Sequence, residues 1–267
     1  MNLERLVGGH VLVEGPREDE QGGVLFSDPV AGGVWRWTGG KRATAVLEGR
    51  RGIGGLVEHA RGGIVVTGRD VTVVGTRGED RELLGLRGGM RGFNDLVTMD
   101  DGSLLVGALR FRPGAGEEPV PGELWRVPPR RGGEPELLLE GVVWPNGIGL
   151  APDSKTIYVS DFHTGEVLAC AADGTSRRSF ARVPDGAPDG LAVDAEGDVW
   201  VALGPGGGIA RFTPDGELRA RHEIPGADFV ASVAFAGEDD LLVATAGALL
   251  RARGVGVQGR PVPRCTS

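Results

Sequence analysis

The sequence predicts an all-β fold, a six-bladed β-propeller whose blades are four-stranded and antiparallel. Two observations lead to this prediction: a recurring hairpin pattern and the period at which it recurs. A run of alternating apolar residues, a tight turn and a β-branched run occur six times, without helical periodicity. Equivalent positions in successive copies are 40, 40, 52, 43 and 42 residues apart, a spacing typical of propeller blades. Six copies of about 44 residues account for the chain of 267 residues.

The fourth copy illustrates the pattern. Trp-Pro-Asn-Gly at 144–147 opens an alternating apolar run, a Pro/Asp/Ser turn at 152–154 reverses the chain, and a β-branched run returns at 156–161. In each copy the second strand is predicted to end fourteen or fifteen positions after the residue that opens the first strand. These predicted strand ends are Asp28, Gly68, Ala108, Asp161, Leu203 and Thr245.

The two ends of the chain and the longest spacing have specific interpretations. Residues 11–13 form an apolar run that we interpret as a strand leading to Glu14. The run at 248–251 is expected to complete a blade with the N-terminal strand, which closes the ring and removes its edges. The Gly/Pro-rich segment 110–121 accounts for the 52-residue spacing. Insertions of this kind usually form loops on the binding face.

Composition indicates one domain over residues 1–267 and excludes some classes of partner. The 48 Gly and 17 Pro are spread evenly between the apolar runs, as expected for many tight turns. The net charge of −8 and the lack of a basic stripe with interleaved aromatics argue against nucleic acid as the main partner. The arginine pairs at 50–51 and 130–131 are interpreted as solvated loop charges.

Localisation is predicted to be cytoplasmic. The first twenty residues contain acidic side chains and no long apolar core, so we expect neither a signal peptide nor a membrane span. The only cysteines are Cys170 and Cys265, and free thiols are the default for so few. We expect a monomer or a weak homodimer.

Polar residues occupy the same position in four of the six copies. The equivalent positions are Glu14, Gly54, Asn94, Asn146, Asp189 and Ala231. Taken singly, Asn-Gly and Asp-Gly are ordinary turn dipeptides, and Glu14 could be a solvent-exposed turn residue. In a propeller, however, equal offsets on the inner strands reach the same height around the channel. We therefore expect the four polar side chains to converge, with the second blade contributing shape and no chemistry.

Such a set of oxygen atoms is typical of a metal site. Two carboxylates and two carboxamides repel one another unless a cation lies between them, and hard divalent cations prefer oxygen ligands. The formal charge of the set, −2, would neutralise such a cation. Ca²⁺ is the first choice because it accepts irregular oxygen cages, with Mg²⁺, Mn²⁺ or Zn²⁺ as alternatives.

Four motifs resemble those of the gluconolactonase/regucalcin (senescence marker protein) family, which includes luciferin-regenerating-enzyme-like members. They are Glu-Gly-Pro-Arg at 14–17, Phe-Asn-Asp at 93–95, Pro-Asn-Gly at 145–147 and Pro-Asp-Gly-Leu-Ala-Val-Asp at 188–194. The resemblance implies a six-bladed propeller with a divalent metal in its central channel. It implies that Glu14, Asn146 and Asp189 bind the metal, that Asn94 is a further ligand or a substrate contact, and that Asp189 is the candidate catalytic base.

The sequence departs from this family where the substrate would bind. Sugar-lactone-hydrolysing members carry an arginine two residues before the equivalent of Asn94, where this chain has Gly92. Arg91 is one place further away, and we expect it to contact the substrate together with Asn94. A smaller or less hydroxylated ester than a sugar lactone is therefore expected.

The predicted function is metal-assisted hydrolysis of a lactone or similar small ester. The cation would polarise the carbonyl group, and a water near Asp189 would attack it. Metal binding lowers the pKa of a carboxylate, so Asp189 is either the base or a group that orients the water. The alternatives are other chemistry at the same site, such as phosphotriester cleavage or ring opening, and a non-catalytic ligand-binding propeller. No nucleophilic-serine motif occurs, and His163 is interpreted as a structural or solvated loop residue.

Overall fold

The protein is a ring of six four-stranded antiparallel sheets. The computed structural model describes residues 1–76, 78–129 and 133–267, and within these ranges it contains strands and no helix. The strands of blades one to three are β2 (Glu14–Glu18), β3 (Val24–Ser27), β4 (Val34–Trp37), β5 (Thr44–Leu47); β6 (Leu56–Glu58), β7 (Ile64–Val66), β8 (Val71–Val74), β9 (Arg81–Leu84); and β10 (Gly92–Thr98), β11 (Leu104–Leu109), β12 (Gly122–Val127), β13 (Glu136–Val142).

The strands of blades four to six follow the same order. They are β14 (Pro145–Leu150), β15 (Thr156–Asp161), β16 (Glu166–Ala171), β17 (Arg178–Arg182); β18 (Leu191–Val193), β19 (Val199–Ala202), β20 (Gly208–Phe212), β21 (Leu218–Glu223); and β22 (Val230–Ala236), β23 (Asp240–Thr245), β24 (Ala248–Arg253) with β1 (Asn2–Gly8). The predicted fold and the insertion at 110–121 are confirmed, and the second strands end within two residues of the predicted positions.

The first strand of each blade lines the central channel. These inner strands contact one another in a closed ring, in the order β2, β6, β10, β14, β18, β22 and back to β2. Burial follows from this position, since β14 is buried along its length whereas the outer strand β5 is mostly exposed. All six inner strands run in the same direction, so their first residues meet at one end of the channel.

The N-terminal strand closes the ring, as predicted. β1 pairs antiparallel with β24 and forms the outer edge of the sixth blade. The predicted strand at 11–13 is wrong. The N–H of Val13 donates to the Thr245 carbonyl at 3.1 Å, and the N–H of Val11 donates to the Asp28 carboxylate at 2.8 Å. Because these residues bond to separate partners, they form a connection and not a ladder.

Hydrophobic clusters fill the spaces between blades. In the described ranges, one cluster lies between each pair of neighbouring blades. The cluster between blades six and one contains Leu6, Val13, Val24, Leu242 and Leu249. The core is therefore spread around the ring, and each blade is stabilised mainly by its two neighbours.

Residues 254–267, the C-terminal tail, cross the end of the channel where the inner strands finish. Gly259 forms a β-bridge with Asp194 in blade five, and Cys265 forms one with His59 in blade two. Between them, Arg260 Nε donates to the Ala151 carbonyl at 3.1 Å. A cavity of about 440 Å³ lies under the tail, between it and the inner strands.

The arginine pairs divide into three outcomes. Arg50 was predicted to be solvated, but its guanidinium bonds the Asp70 carboxylate at 2.7 Å and the Thr67 carbonyl at 3.1 Å. The reason is that Asp70 is buried and needs a counter-charge. Arg51 is exposed, as expected. The pair at 130–131 lies outside the described residues.

Across the part of the chain that is described, no helix has the length and apolar character that a membrane crossing requires.

Both thiols are predicted to be unreactive in the native protein. Cys170 and Cys265 are free and buried, and burial raises the pKa of Cys170 to about 11. The thiolate is the reactive form, so the aromatic disulfide DTNB at pH 8 is expected to label neither residue while the urea-unfolded protein titrates both. Rapid stoichiometric labelling of the folded protein would contradict this burial.

Closure of the ring is testable with two matched leucine substitutions. Leu249 is fully buried between blades six and one, whereas Leu218 is 49% exposed on an outer strand. Leu249→Ala is expected to lower the free energy of unfolding by about 2–5 kcal/mol, because it leaves a cavity at the closing seam. Leu218→Ala should change it by less than about 0.5 kcal/mol. Urea unfolding measures both, and similar values for the two variants would argue against a packed seam.

Candidate metal centre

The four polar residues singled out in the sequence lie at one end of the channel. We refer to Glu14, Asn94, Asn146 and Asp189 as the donor set. Glu14 begins β2, Asn94 is the third residue of β10, Asn146 is the second residue of β14, and Asp189 precedes β18 by two residues. Because the inner strands start at the same end of the ring, the structure brings the four positions to similar depth from four blades.

Hydrogen bonds and charge interactions connect the donor set. Asn94 Nδ2 donates to the Pro145 carbonyl at 3.1 Å, directly before Asn146. The Gly147 N–H donates to the Asp189 carbonyl at 3.2 Å. The Asn146 carboxamide lies beside the Asp189 carboxylate, and its hydrogen bonding opposes the rise in the pKa of that carboxyl.

Burial and like charges disfavour ionisation of both carboxylates of the donor set, although Glu14 is partly exposed at the surface. Asp189 is only 2% exposed, and burial raises its pKa well above the ordinary value, with the charge of Asp95 adding to the rise. Burial likewise raises the pKa of Glu14, and the charges of Asp189 and Asp95 raise it further. Both groups are therefore charged at neutral pH only at a free-energy cost that a nearby cation would offset.

Two further charged residues belong to this site, and the sequence did not single them out. Asp95 is 7% exposed and accepts hydrogen bonds from the backbone of Leu96 at 2.8 Å and Ile148 at 3.3 Å. Burial raises the pKa of Asp95 to about 6, against the opposing effect of Arg17. The carboxylates of Glu14, Asp95 and Asp189 with the Arg17 guanidinium leave a formal charge of −2.

Irregular pairing explains how neighbouring residues reach the same site. The pairing register shifts within 14–17 of β2, 93–96 of β10 and 145–148 of β14. A β-bulge leaves residues unpaired and redirects their side chains. Asn94 and Asp95 therefore both lie at the centre, although strict alternation would place them on opposite faces of the strand. An acidic residue next to a predicted ligand was the only signal in the sequence.

Glycines of the second blade provide the space for these side chains. A Cβ atom at Gly54 would lie 2.4 Å from Asn94 Oδ1, and one at Gly55 would lie 2.5 Å from Asp95 Oδ1. Both separations are shorter than van der Waals contact, so any larger residue would displace the neighbouring side chain. The expectation that this blade contributes shape agrees with these distances.

The donor set fits a hard divalent cation. Asp189 Oδ1 is buried and has no hydrogen-bond partner among the described residues, which is unusual for a carboxylate oxygen unless an ion or water completes it. In the same ranges, no three His, Cys, Asp or Glu side chains are arranged to hold a metal. A cation here would therefore need carboxamide oxygens as well as the two carboxylates, a combination that suits Ca²⁺.

The other predicted residues lie further out. The backbone N–H of Arg91 donates to the Leu109 carbonyl at 2.7 Å, which places Arg91 at the same end of the channel as the donor set, and the residue is exposed. His163 is also exposed, in the connection between β15 and β16.

Comparison with known proteins identifies the family. The family model described as SMP-30/Gluconolactonase/LRE-like region matches residues 12–247. The chain belongs to this family. It is a family of lactonase-type hydrolases, and the resemblance inferred from the four motifs is confirmed.

Relatives in this SMP-30/gluconolactonase family cover different shares of the chain. A pentonolactonase of Haloferax volcanii is 30% identical over 164 residues, which is 58% of this chain and 53% of that protein. The chain thus spans about half the length of the first curated relatives it matches. A regucalcin of Xenopus laevis is 26% identical over 243 residues, 83% of this chain and 78% of the relative.

Solved structures of the family share the propeller. A gluconolactonase of Xanthomonas campestris superposes with a TM-score of 0.81 at 27% identity, over 97% of this chain and 89% of that one. A luciferin-regenerating enzyme superposes with a TM-score of 0.87 at 22% identity, over 100% of this chain and 99% of that one. The second likeness shows the shared fold.

Replacing Asp189 should separate stability from metal binding. Asp189→Asn removes a buried, repelled charge, so the variant treated with a chelator is expected to be at least as stable as the wild type at pH 8. Its affinity for Ca²⁺ should fall by at least about 100-fold, because an anionic ligand is lost. Wild-type protein should gain about 2.7 kcal/mol of stability at a Ca²⁺ concentration 100 times its dissociation constant, and the variant should lose this gain.

Thermal unfolding with and without Ca²⁺ measures both effects. The matched control is Asp228→Asn at an exposed position, which should alter neither quantity. An equal Ca²⁺-dependent shift in wild type and in the Asp189 variant would remove Asp189 from the ligand set.

Proposed function

We propose that this protein is a divalent-metal-dependent hydrolase that opens a lactone or a similar small ester. The observation that carries the proposal is the buried Asp189 carboxylate, whose Oδ1 lacks a hydrogen-bond partner among the described residues and whose charge raises the pKa of the partly exposed Glu14. Support also comes from relatives named as a pentonolactonase, a 6-deoxy-6-sulfogluconolactonase and an L-arabinolactonase.

Glu14, Asn146 and Asp189 would hold the cation, and Asn94 would complete the set or contact the substrate. A cation bound there would polarise the carbonyl oxygen and stabilise the negative charge that develops on it during attack. Ca²⁺ is preferred for this oxygen set, with Mg²⁺, Mn²⁺ and Zn²⁺ as alternatives. Asn94 is oriented for either role by the bond from its Nδ2 to the Pro145 carbonyl at 3.1 Å.

Asp189 would accept a proton from the attacking water and pass it on. Its unpartnered Oδ1 is a hydrogen-bond acceptor, so it would orient the water and receive the proton released as the new carbon–oxygen bond forms. The proton would then pass to the alcohol oxygen that leaves when the ring opens. Arg17, through its charge, stabilises the ionised form of the neighbouring Asp95 and so preserves the negative charge of the site.

The cytoplasmic location, the monomeric or weakly dimeric state and the lack of a nucleic-acid partner stay predictions from the sequence. The same holds for contact between Arg91 and a substrate. A shared fold does not fix a reaction, so the test of function must include other substrates.

Hydrolysis is tested on metal-stripped protein reloaded with each of the four cations. A panel of unsubstituted lactones, p-nitrophenyl esters and phosphotriesters distinguishes ester from phosphotriester chemistry. We expect lactone hydrolysis that disappears with a chelator and returns with metal. Asp189→Asn, assayed at a metal concentration that saturates it, should lower kcat by about 100-fold or more through loss of the proton acceptor.

The control again is Asp228→Asn, which should retain full kcat. Metal content and turnover are measured separately, so a variant that binds metal without turning over assigns a chemical role to Asp189. A fully metal-loaded wild type that hydrolyses none of the lactones or esters would refute the proposal, and turnover of phosphotriesters alone would redirect it.

A further inference from the structure

Four aromatic side chains lie at the same end of the propeller as the donor set. We refer to Phe111, Trp144, Phe162 and Phe229 as the aromatic arc. They occupy the connections β11–β12, β13–β14, β15–β16 and β21–β22. Each of these connections joins the strand ends that meet where the inner strands begin, so all four rings are on the face that carries the candidate metal centre.

The rings follow one another across blades three to six. The centroids of Phe111 and Trp144 are 5.1 Å apart, and those of Trp144 and Phe162 are 4.6 Å apart. Phe162 and Phe229 both border Gly204, where a Cβ atom would lie 3.1 Å from Phe162 Cε2 and 3.6 Å from Phe229 Cζ. The absence of a side chain at position 204 leaves room for both rings.

The arc borders the donor set at two points. Trp144 directly precedes Pro145 and the ligand candidate Asn146. At the other point, the Ala187 carbonyl is 3.2 Å from the Cβ position of Gly204, and Ala187 precedes Asp189 by two residues. The arc therefore runs along the side of the channel mouth that extends from Asn146 to Asp189.

Hydrogen bonds from backbone N–H groups fix the segments that carry Trp144 and Phe162 in the aromatic arc. The buried Asp161 carboxylate accepts the N–H of Val143 at 2.9 Å and that of Trp144 at 3.2 Å. The Phe162 N–H donates to the Trp144 carbonyl at 3.0 Å. Phe111 is only 2% exposed and packs against Trp144, whereas Trp144, Phe162 and Phe229 are partly exposed. Preorganised rings with exposed surface suit an apolar ligand group.

We propose that the aromatic arc binds the substituent of the substrate, and that the protein acts on lactones or esters carrying a hydrocarbon substituent in preference to polyhydroxylated sugar lactones. This inference rests on the proposed function. Aromatic faces gain from burying apolar surface, but they leave sugar hydroxyls without hydrogen-bond partners. In the reaction, water oxygen bonds to the carbonyl carbon, the ring carbon–oxygen bond breaks, one water proton ends on the alcohol, and the carboxylic acid releases the other.

Three lactones with the same six-membered ring test the proposal. They are δ-valerolactone, δ-nonalactone with its butyl chain, and glucono-δ-lactone with its hydroxyl groups. Each rate is divided by the uncatalysed rate, because the three differ in intrinsic reactivity. A fully buried methylene is worth about fourfold in binding, so kcat/KM for δ-nonalactone should exceed that for each of the other two by at least about tenfold.

Variants of the arc locate the preference. Phe162→Ala and Phe229→Ala are each expected to lower kcat/KM for δ-nonalactone by at least about fivefold, mainly through KM. They should leave δ-valerolactone turnover and Ca²⁺ affinity unchanged. The matched control is Phe235→Ala, at a partly exposed phenylalanine beside the cavity under the C-terminal tail. Phe162→Leu serves as a second variant that keeps an apolar side chain if the alanine variant does not fold.

The outcomes separate this inference from the proposed function. Metal-dependent turnover with equal or higher normalised rates for glucono-δ-lactone overturns the aromatic selectivity and leaves the lactonase proposal standing. If no lactone is turned over, calorimetry with the Ca²⁺-loaded protein compares 5-hydroxynonanoate with gluconate. Tighter binding of the nonanoate, lost in Phe229→Ala, supports the arc as a binding surface, and equal or weaker binding overturns it.

Discussion

The burial of like charges on the axis of a closed ring is the constraint on which the rest of the structure depends. Three carboxylates from blades one, three and five reach the channel mouth. Burial raises the pKa of each, and the charges of neighbouring carboxylates add to the rise at Glu14 and Asp189. The charge of Arg17 opposes the rise at Asp95, and hydrogen bonding from Asn146 opposes it at Asp189. The packed seams between blades hold these groups together against their repulsion, which is the arrangement that the proposed cation would stabilise.

Regular strand geometry would not allow adjacent polar side chains to converge at the channel mouth, and the β-bulges make this convergence possible. A straight ladder would direct alternate side chains away from the axis, whereas bulges at 93–96 and 145–148 allow adjacent polar residues to share one centre. Glycines 54 and 55 then leave room for what the bulges bring in. The irregular pairing and the small residues thus serve the chemistry, while the regular middle of each blade serves stability.

The sequence was sufficient for the features that repeat and insufficient for those that do not. Blade number, ring closure and the depth of Asn146 and Asp189 follow from a fixed period. Asp95 was not predicted as a site residue because a bulge overrides the alternation of side chains along the strand. Residues 11–13 were wrongly predicted as a strand because their apolar pattern does not reveal that they bond to separate partners. The aromatic arc was hidden because its rings come from loops of different lengths, which carry no register that could align them.

The C-terminal tail affects how molecules can reach the donor set along the central channel. The tail bridges blades five and two and so lies across the end of the channel that is remote from the donor set. Arg17 lines the cavity under the tail. A cation and a substrate bound as proposed would therefore approach the donor set from the end of the ring where the inner strands begin. A substrate bound at that end would cover the proposed cation site, so the cation would bind before the substrate and leave after it.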